Sequence, residues 1–257
     1  MTSMSTAPHP DWRLAAVLVV LTAAAVVISR VGGLGVGHEQ AVAALRAVVQ
    51  LAAVSAVIAL VLQSVIWSLG FVLVMFVVAT LTSARRMDLP VRAVPWVGAA
   101  VGAGAVPVVT LCLGSGVVPF NGAGLLPVAG IIIGGAMTAA TLTGRRAFQE
   151  LQAQVGTYEA ALAVGLSSAQ ATRLVVEPSA REALVPGIDQ TRTVGLVTLP
   201  GAFIGVLLGG GTAVEAGAAQ VLVLVGLLAA QAATAAVLLH LVAGRHVLRE
   251  DLRTLPR

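Results

Sequence analysis

The most informative stretch of this chain is EAALAVGLSSAQATRLVVEP, which runs from Glu159 to Pro178. It is charged and amphipathic, and it lies between two segments, Leu126–Thr143 and Thr193–Gly209, that are apolar enough to be membrane helices. A membrane protein that keeps such a segment on one side of the bilayer usually presents it to a soluble partner. The sequence therefore predicts a membrane bundle with a partner-facing loop.

The composition supports a membrane protein. Of 257 residues, 58% are hydrophobic and 10% charged, and the mean hydropathy is +0.99. Soluble domains carry about 25% charged residues, and a membrane-spanning helix needs about 20 apolar residues. The fold class predicted is an all-α polytopic membrane protein. The pI near 10.9 is attributed to basic loops at a membrane face, so no nucleic-acid partner is expected.

Seven apolar segments predict about seven transmembrane helices within a single transmembrane domain, residues 1–257. The first is interpreted as an uncleaved span, because Arg30 follows a long apolar run. The third is short and could extend back through Trp67, and the connection at 63–68 is short enough for a re-entrant hairpin instead. The seven segments are Leu14–Ser29, Ala41–Leu62, Leu69–Thr82, Ala93–Leu113, Leu126–Thr143, Thr193–Gly209 and Ala218–Val242.

The arginines predict an orientation in the cell membrane. They concentrate in alternate connections and in the tail at about 243–257, whereas the connections 115–124 and 210–217 contain no arginine. The excess of basic residues in cytoplasmic loops then places the N-terminus outside and the C-terminus in the cytoplasm. The loop at about 144–192 falls on the cytoplasmic side.

Within that loop the pattern predicts a helix, a turn and a second helix. Arg145 to Val164 has few helix breakers, and Gly165 can adopt the left-handed conformation that ends a helix. Ser167 and Gln170 have the spacing of a capping box for the next helix. Pro178, and later Pro186, are expected to end or restart it.

Three residues inside spans are candidates for a transport pathway: Arg46, Gln50 and Met137. Arg46 and Gln50 are four residues apart and therefore share one helix face. A charge at the bilayer centre costs about 2.5–3.5 kcal/mol on insertion scales. Either Arg46 lies near the cytoplasmic end and extends to the surface, or the pair forms a polar stripe that faces the pathway or another helix.

No residues suggest catalysis or a metal site. No Ser-His-Asp set, clustered histidines or paired carboxylates occur at a bilayer face, and the single cysteine, Cys112, has no metal-ligand spacing around it. All fifteen basic residues are arginine, so the lysine of a P-loop is missing. If ATP drives this protein, ATP and Mg²⁺ bind a separate ATPase chain, and this chain is not itself an enzyme.

Several strings resemble the FetB-type family of ABC transporter permeases, which are membrane subunits linked to iron export. They are PVAGIIIGGAMTAA (Pro127–Ala140), DQTRTVGLVTLPGAFIGVL (Asp189–Leu207) and ALRAVVQLAAV (Ala44–Val54). The segment at 159–178 also resembles the "EAA" signature with which ABC permeases dock onto their ATPases.

The resemblance implies a homodimeric export permease that works with a separate ABC ATPase and has no cofactor of its own. By position, Glu159, Ala160, Ala161 and Gly165, with Glu177 and Pro178, would form the docking element. The signature usually has Leu-Pro where this chain has Glu177–Pro178.

The resemblance also implies iron as cargo, and another metal or a nucleotide sugar remains open. Three other interpretations are kept: a secondary transporter, a membrane enzyme and a structural membrane protein. The scarcity of carboxylates within the spans counts against the first of these.

Overall fold

The structure is a computed structural model that describes residues 11–256. The described chain is helical, and its helices are α1 (Trp12–Val31), α2 (Gly37–Leu62), α3 (Val65–Arg86), α4 (Val94–Gly114), α5 (Gly122–Ala153), α6 (Val155–Ala163), α7 (Ser168–Thr193), α8 (Gly201–Leu208) and α9 (Ala213–Ala243). Short 3₁₀ turns lie at Val91–Ala93 and Asp251–Thr254. The described residues form no named strand, which confirms the predicted all-α class.

Among the described residues, six helices are long and apolar enough to cross a membrane: α1 to α5, with the turn before α4 included, and α9. The third is longer than its predicted core, because it begins at Val65 and ends at Arg86. The second connection is only the two residues between Leu62 and Val65. The protein is therefore a polytopic, multi-pass membrane protein.

The predicted sixth span, Thr193–Gly209, is wrong as a continuous helix. Residues 194–200 are irregular, and α8 has eight residues, or about 12 Å at 1.5 Å per residue, against a hydrocarbon core of about 30 Å. Gly195 adopts a φ of +81°, and Pro200 has no N–H to continue a helix through it. The segment divides into the end of α7, an irregular stretch and α8.

The chain divides into two compact units, residues 1–60 and 61–257. In the first, α1 and the start of α2 are tied by a hydrogen bond of 2.7 Å from the Ser29 hydroxyl to Oε1 of Gln40. The second unit holds the large apolar core.

Helix α5 is the centre of the second unit and packs against α3, α4, α7 and α9. Ala129, Ile132, Ala136 and Ala140 on it have no exposed surface, and their spacing of three to four residues marks one face. Small residues allow close helix approach: at Gly104 of α4 an added Cβ would collide with the carbonyl oxygen of Ala230 on α9. This packing fixes α9 against α4 and α5.

Candidate functional site

The partner-facing segment predicted from sequence is a compact projection that we call the knob, residues 155–170. It begins where α5 ends at Ala153 and Gln154 leaves helical geometry, with φ −115° and ψ 35°. The side-chain amide of Gln154 donates to Oε2 of Glu150 at 2.7 Å. The single helix predicted from Arg145 to Val164 is thus two helices, α5 and α6, which change direction at Gln154.

The turn of the knob has the predicted local chemistry. Gly165 has a φ of +93°, which glycine adopts without the steric cost that a side chain brings. Its N–H donates to the carbonyl of Leu162 at 3.0 Å. Ser167 then starts α7 with a complete capping box, in which its hydroxyl accepts from the N–H of Gln170 and Oε1 of Gln170 accepts from the N–H of Ser167.

The knob has a buried face and an exposed face. Tyr158 is fully buried and Ala161 is 5% exposed, and both belong to the main core with Ala171 and Val175 of α7. Glu159, Ala160 and Gly165 are exposed at the outer surface. Val164 beside them is 80% exposed. The knob therefore presents an acidic residue, an apolar side chain and a glycine turn on a rigidly packed base.

The chain that follows α9 braces the knob from behind. The Tyr158 hydroxyl donates to the carbonyl of Pro256 at 2.8 Å and also bonds the Ser168 hydroxyl at 2.9 Å. Arg245 donates to the carbonyls of Arg253 and Leu255, and so folds the segment back on itself. The brace, residues 247–256, buries Val247, Leu248 and Leu252.

Of the predicted docking residues, Glu177 and Pro178 lie apart from the turn. They are exposed, ten residues into α7, or about 15 Å along a helix from its first turn. The prediction that Pro178 and Pro186 end or restart the helix is wrong, because α7 continues through both to Thr193. Its packing against α5 and α9 holds it helical despite the missing N–H groups.

Helix α7 runs antiparallel to α9 and packs beside it. Arg173 donates to Nδ1 of His240 at 2.8 Å, and Gly187 lies against the side chain of Gln231. Gly135 of α5 contacts Leu227 and Gln231 from another side. Gln231 is 18 residues, or about 27 Å, from the start of α9. Helix α7 continues for six residues, or about 9 Å, beyond Gly187 toward that start. The end of α7 therefore lies about 18 Å from the start of α9, within the apolar layer.

A helix break with charged residues beside it lies at this depth. The break, residues 194–200, is closed by a hydrogen bond of 2.9 Å from the N–H of Gly195 to the carbonyl of Thr198. In the turn just before it, Arg192 and Asp189 form an ion pair at 3.7 Å, with their side chains 75% and 59% exposed. Ionisable groups at membrane depth usually face a water-filled cavity or a protein partner, since lipid cannot solvate them.

The three residues predicted for a pathway are not part of this break. Arg46 and Gln50 are exposed on α2. Met137 is partly buried on α5, and its carbonyl accepts from the hydroxyls of Thr141 and Ser83 at 2.9 and 3.4 Å. Among the described residues, no three His, Cys, Asp or Glu side chains are placed to hold a metal ion together.

Sequence reasoning missed Tyr158 and the Asp189–Arg192 pair. Tyr158 is the one tyrosine of the chain and directly precedes Glu159. A lone large aromatic residue at that point could have indicated that the knob is anchored to the core. Asp189 and Arg192 were assigned to a loop outside the membrane. Their helical spacing of three residues and the Gly195 and Pro200 that follow were the signs of a broken helix at that point.

Comparison with known proteins supplies the family. Residues 12–247 match the model of UPF0014, described as an uncharacterised protein family. The chain is 34% identical over 79% of its length to the UPF0014 membrane protein STAR2 of Oryza sativa, covering 72% of that protein. It is 32% identical over 82% of its length to ALUMINUM SENSITIVE 3 of Arabidopsis thaliana, covering 77%.

A bacterial relative belongs to the FetB-type family that the sequence motifs resemble. The chain is 30% identical over 69% of its length to the probable iron export permease protein FetB of Escherichia coli, covering 70% of it. No solved structure matches the chain at a significant level. The match to the family model and the relatives together show that this chain belongs to the UPF0014 family, that of the FetB-type permease.

Proposed function

We propose that this chain is the membrane permease of an ATP-binding cassette exporter, energised by a separate ATPase that docks on the knob. The observation that carries the proposal is the continuity of α7. One 26-residue helix begins in the knob with the Ser167 capping box and ends at Thr193, beside the break. A push on the knob is therefore delivered to the break through a single packed helix.

The knob has the features of a docking element. Its turn projects Val164 and Glu159 outward, while Tyr158 beneath them is fixed by two hydrogen bonds. A rigid base matters because a flexible projection would absorb the motion of a partner instead of passing it on. The chain has no lysine for a P-loop, so the nucleotide and Mg²⁺ belong to the partner chain in this proposal.

The break supplies a route through the membrane. Irregular backbone at membrane depth is tolerated where it is buried in protein or lines a water-filled cavity. The residues from Leu196 to Leu199 are exposed, and the Asp189–Arg192 pair beside them is exposed as well. Two copies of the chain facing each other at this surface would enclose the route, which is the arrangement expected of a homodimer.

Orientation and cargo are part of the same proposal. The knob and the brace lie at one end of the second unit, together with Arg145, Arg245 and Arg249. Because basic residues are in excess in cytoplasmic loops, we propose that this end faces the cytoplasm and that the N-terminus is outside. Iron is proposed as cargo because FetB of Escherichia coli is named as a probable iron export permease. Another metal or a nucleotide sugar is the alternative cargo, and a secondary transporter is the alternative mechanism.

Co-purification tests the proposal directly. The full chain is isolated from its native membrane in mild detergent, and bound proteins are identified by mass spectrometry. We expect a stoichiometric ABC-type ATPase with the wild type and its loss with Glu159→Arg, which reverses the charge at the knob surface. The matched control is Glu177→Arg, a reversal on α7 away from the turn.

The wild type and the two variants separate the possible results. Loss of the ATPase with Glu159→Arg and retention with Glu177→Arg supports docking at the turn. Absence of any ATPase from the wild type, with the membrane protein intact, would reject the proposal and favour a self-sufficient transporter. Equal loss with both variants would show that the docking surface extends along α7 to Glu177.

A further inference from the structure

A small pocket rich in arginine lies at the knob end of the second unit. It has a volume of about 110 Å³ and lies between the end of α3, the later part of α5 and the chain after α9. Its floor is apolar, because Met87 and Phe148 are each 1% exposed. Its polar lining is formed by Arg86, Asp88, Arg145, Gln149 and Arg249.

The charges of the pocket favour an anion. Arg249 is fixed by two hydrogen bonds to Asp251, at 3.1 and 3.0 Å. Within residues 11–256, the side chains of Arg86 and Arg145 have no ion pair or hydrogen bond, although both are exposed and charged. Three guanidinium groups against the carboxylates of Asp88 and Asp251 leave a net charge of +1. The guanidinium groups also offer many N–H donors, which suit an oxyanion with several acceptors.

The depth of the pocket identifies the kind of anion. Arg86 is 21 residues from the start of α3, and Arg145 is 23 residues from the start of α5. At 1.5 Å per residue these distances are about 32 and 35 Å, close to the 30 Å thickness of a hydrocarbon core. Both guanidinium groups therefore lie at the level of the lipid headgroups.

An aromatic pair marks the same level. The ring of Trp96, 42% exposed in the first turn of α4, packs on the His246 ring with centroids 4.4 Å apart. Tryptophan is enriched where the hydrocarbon meets the headgroups. His246 precedes Arg249 of the pocket by three residues, so the two features lie on the same short segment.

We infer that the arginine pocket binds the phosphate of an anionic lipid headgroup. Arg86 and Arg145 supply the free donors, and Arg249, held by Asp251, supplies a fixed third charge. Basic pockets between transmembrane helices on the cytoplasmic side are places where anionic headgroups bind. The lipid would bridge α3, α5 and the start of the brace, whose residues line the pocket together.

The experiment measures lipid retention by the purified full chain. Delipidated protein in mild detergent is titrated with phosphatidylglycerol, and bound lipid is counted by native mass spectrometry. Phosphatidylcholine and inorganic phosphate are the comparison ligands. Arg86→Gln and Arg145→Gln remove the free donors, and Arg85→Gln is the matched control, since it removes the same charge from the adjacent residue outside the pocket.

We expect phosphatidylglycerol to bind about tenfold more weakly to Arg86→Gln and to Arg145→Gln than to the wild type, because each variant loses charge-assisted hydrogen bonds. Arg85→Gln should bind like the wild type, and inorganic phosphate at millimolar concentration should not displace the lipid. Equal weakening by Arg85→Gln, or equal retention of phosphatidylcholine, would overturn the site. Displacement by inorganic phosphate would reject the lipid as the source of the anion. None of these measurements depends on an ATPase.

Discussion

The hydroxyl of Tyr158 donates a hydrogen bond to the carbonyl oxygen of Pro256, 98 residues later in the chain, at 2.8 Å. Tyr158 has one hydroxyl proton, so Ser168 must donate the second bond, in which its Oγ lies 2.9 Å from the tyrosine oxygen. The fully buried Tyr158 thus joins three parts of the chain: α6, the start of α7 and the brace. The base of the knob depends on this residue.

Tyr158→Phe removes both hydrogen bonds and keeps the buried ring. Each lost bond should cost about 0.5–1.5 kcal/mol, and the carbonyl of Pro256 keeps only the longer bond of 3.4 Å from Arg245. We expect faster amide hydrogen exchange across residues 155–170 and unchanged exchange in α4. Ser168→Ala, which removes only one of the two bonds, should give a smaller change. Unaltered exchange in the knob with Tyr158→Phe would contradict the brace.

Gly165→Pro should disable the knob without affecting membrane insertion. Proline fixes φ near −65°, whereas Gly165 has a φ of +93°, and proline also lacks the N–H that bonds Leu162. We expect loss of ATPase co-purification and of transport, with normal amounts of protein in the membrane. Gly156→Ala is the control, since no neighbouring atom lies within 4 Å of the added Cβ and its φ is not positive. Normal transport by Gly165→Pro would exclude the turn from coupling.

Water at the break can be measured with a single cysteine. Thiol reagents need the thiolate, which forms in contact with water. In a Cys112→Ala background, Thr193→Cys should react with a membrane-impermeant thiosulfonate at least about tenfold faster than Val225→Cys, because the lipid would shield Val225. Both residues are exposed. Val225 is 12 residues, or about 18 Å, from the start of α9. Thr193 is at a similar depth, because it lies six residues, or about 9 Å, beyond Gly187, which packs against Gln231 at about 27 Å. Equal protection of the two cysteines would mean that the break faces lipid or packed protein.

Gly104→Ala should destabilise the contact between α4 and α9. The added methyl group would collide with the carbonyl oxygen of Ala230 and with the Thr234 hydroxyl, and a backbone atom cannot rotate away. Overpacking of this kind costs about 1–3 kcal/mol. We expect a lower thermal unfolding midpoint in detergent. Gly70→Ala, with open space around the added Cβ, should leave the midpoint unchanged or raise it, and equal midpoints for the two variants would contradict the close approach.

The sequence predicts the turn and the helix cap of the knob well, because both depend on short-range interactions. The left-handed Gly165 and the Ser167–Gln170 capping box each depend on residues within a few positions of one another. The long apolar helices are predicted for a similar reason, since about 20 apolar residues in a row are needed for each. These features follow from short-range rules.

The course of α7 could not be predicted in this way. Pro178 and Pro186 suggest helix ends by local rules, but contacts with α5 and α9 keep the helix intact. Conversely, the apolar run 193–209 suggests a span, although Gly195 and Pro200 interrupt it. Both errors have one cause: tertiary packing decides where a proline or glycine is tolerated, and a single sequence does not display that packing.

The bond between Tyr158 and Pro256 also sets an order of events during biosynthesis. The knob is synthesised first, but its brace exists only after α8, α9 and the segment beyond Val247 have followed it. Until α9 is inserted in the bilayer, Tyr158 has no carbonyl of Pro256 to bind. A chain interrupted in α9 therefore has the whole knob but lacks the brace that supports it. The knob becomes fully rigid only after the entire bundle has been synthesised.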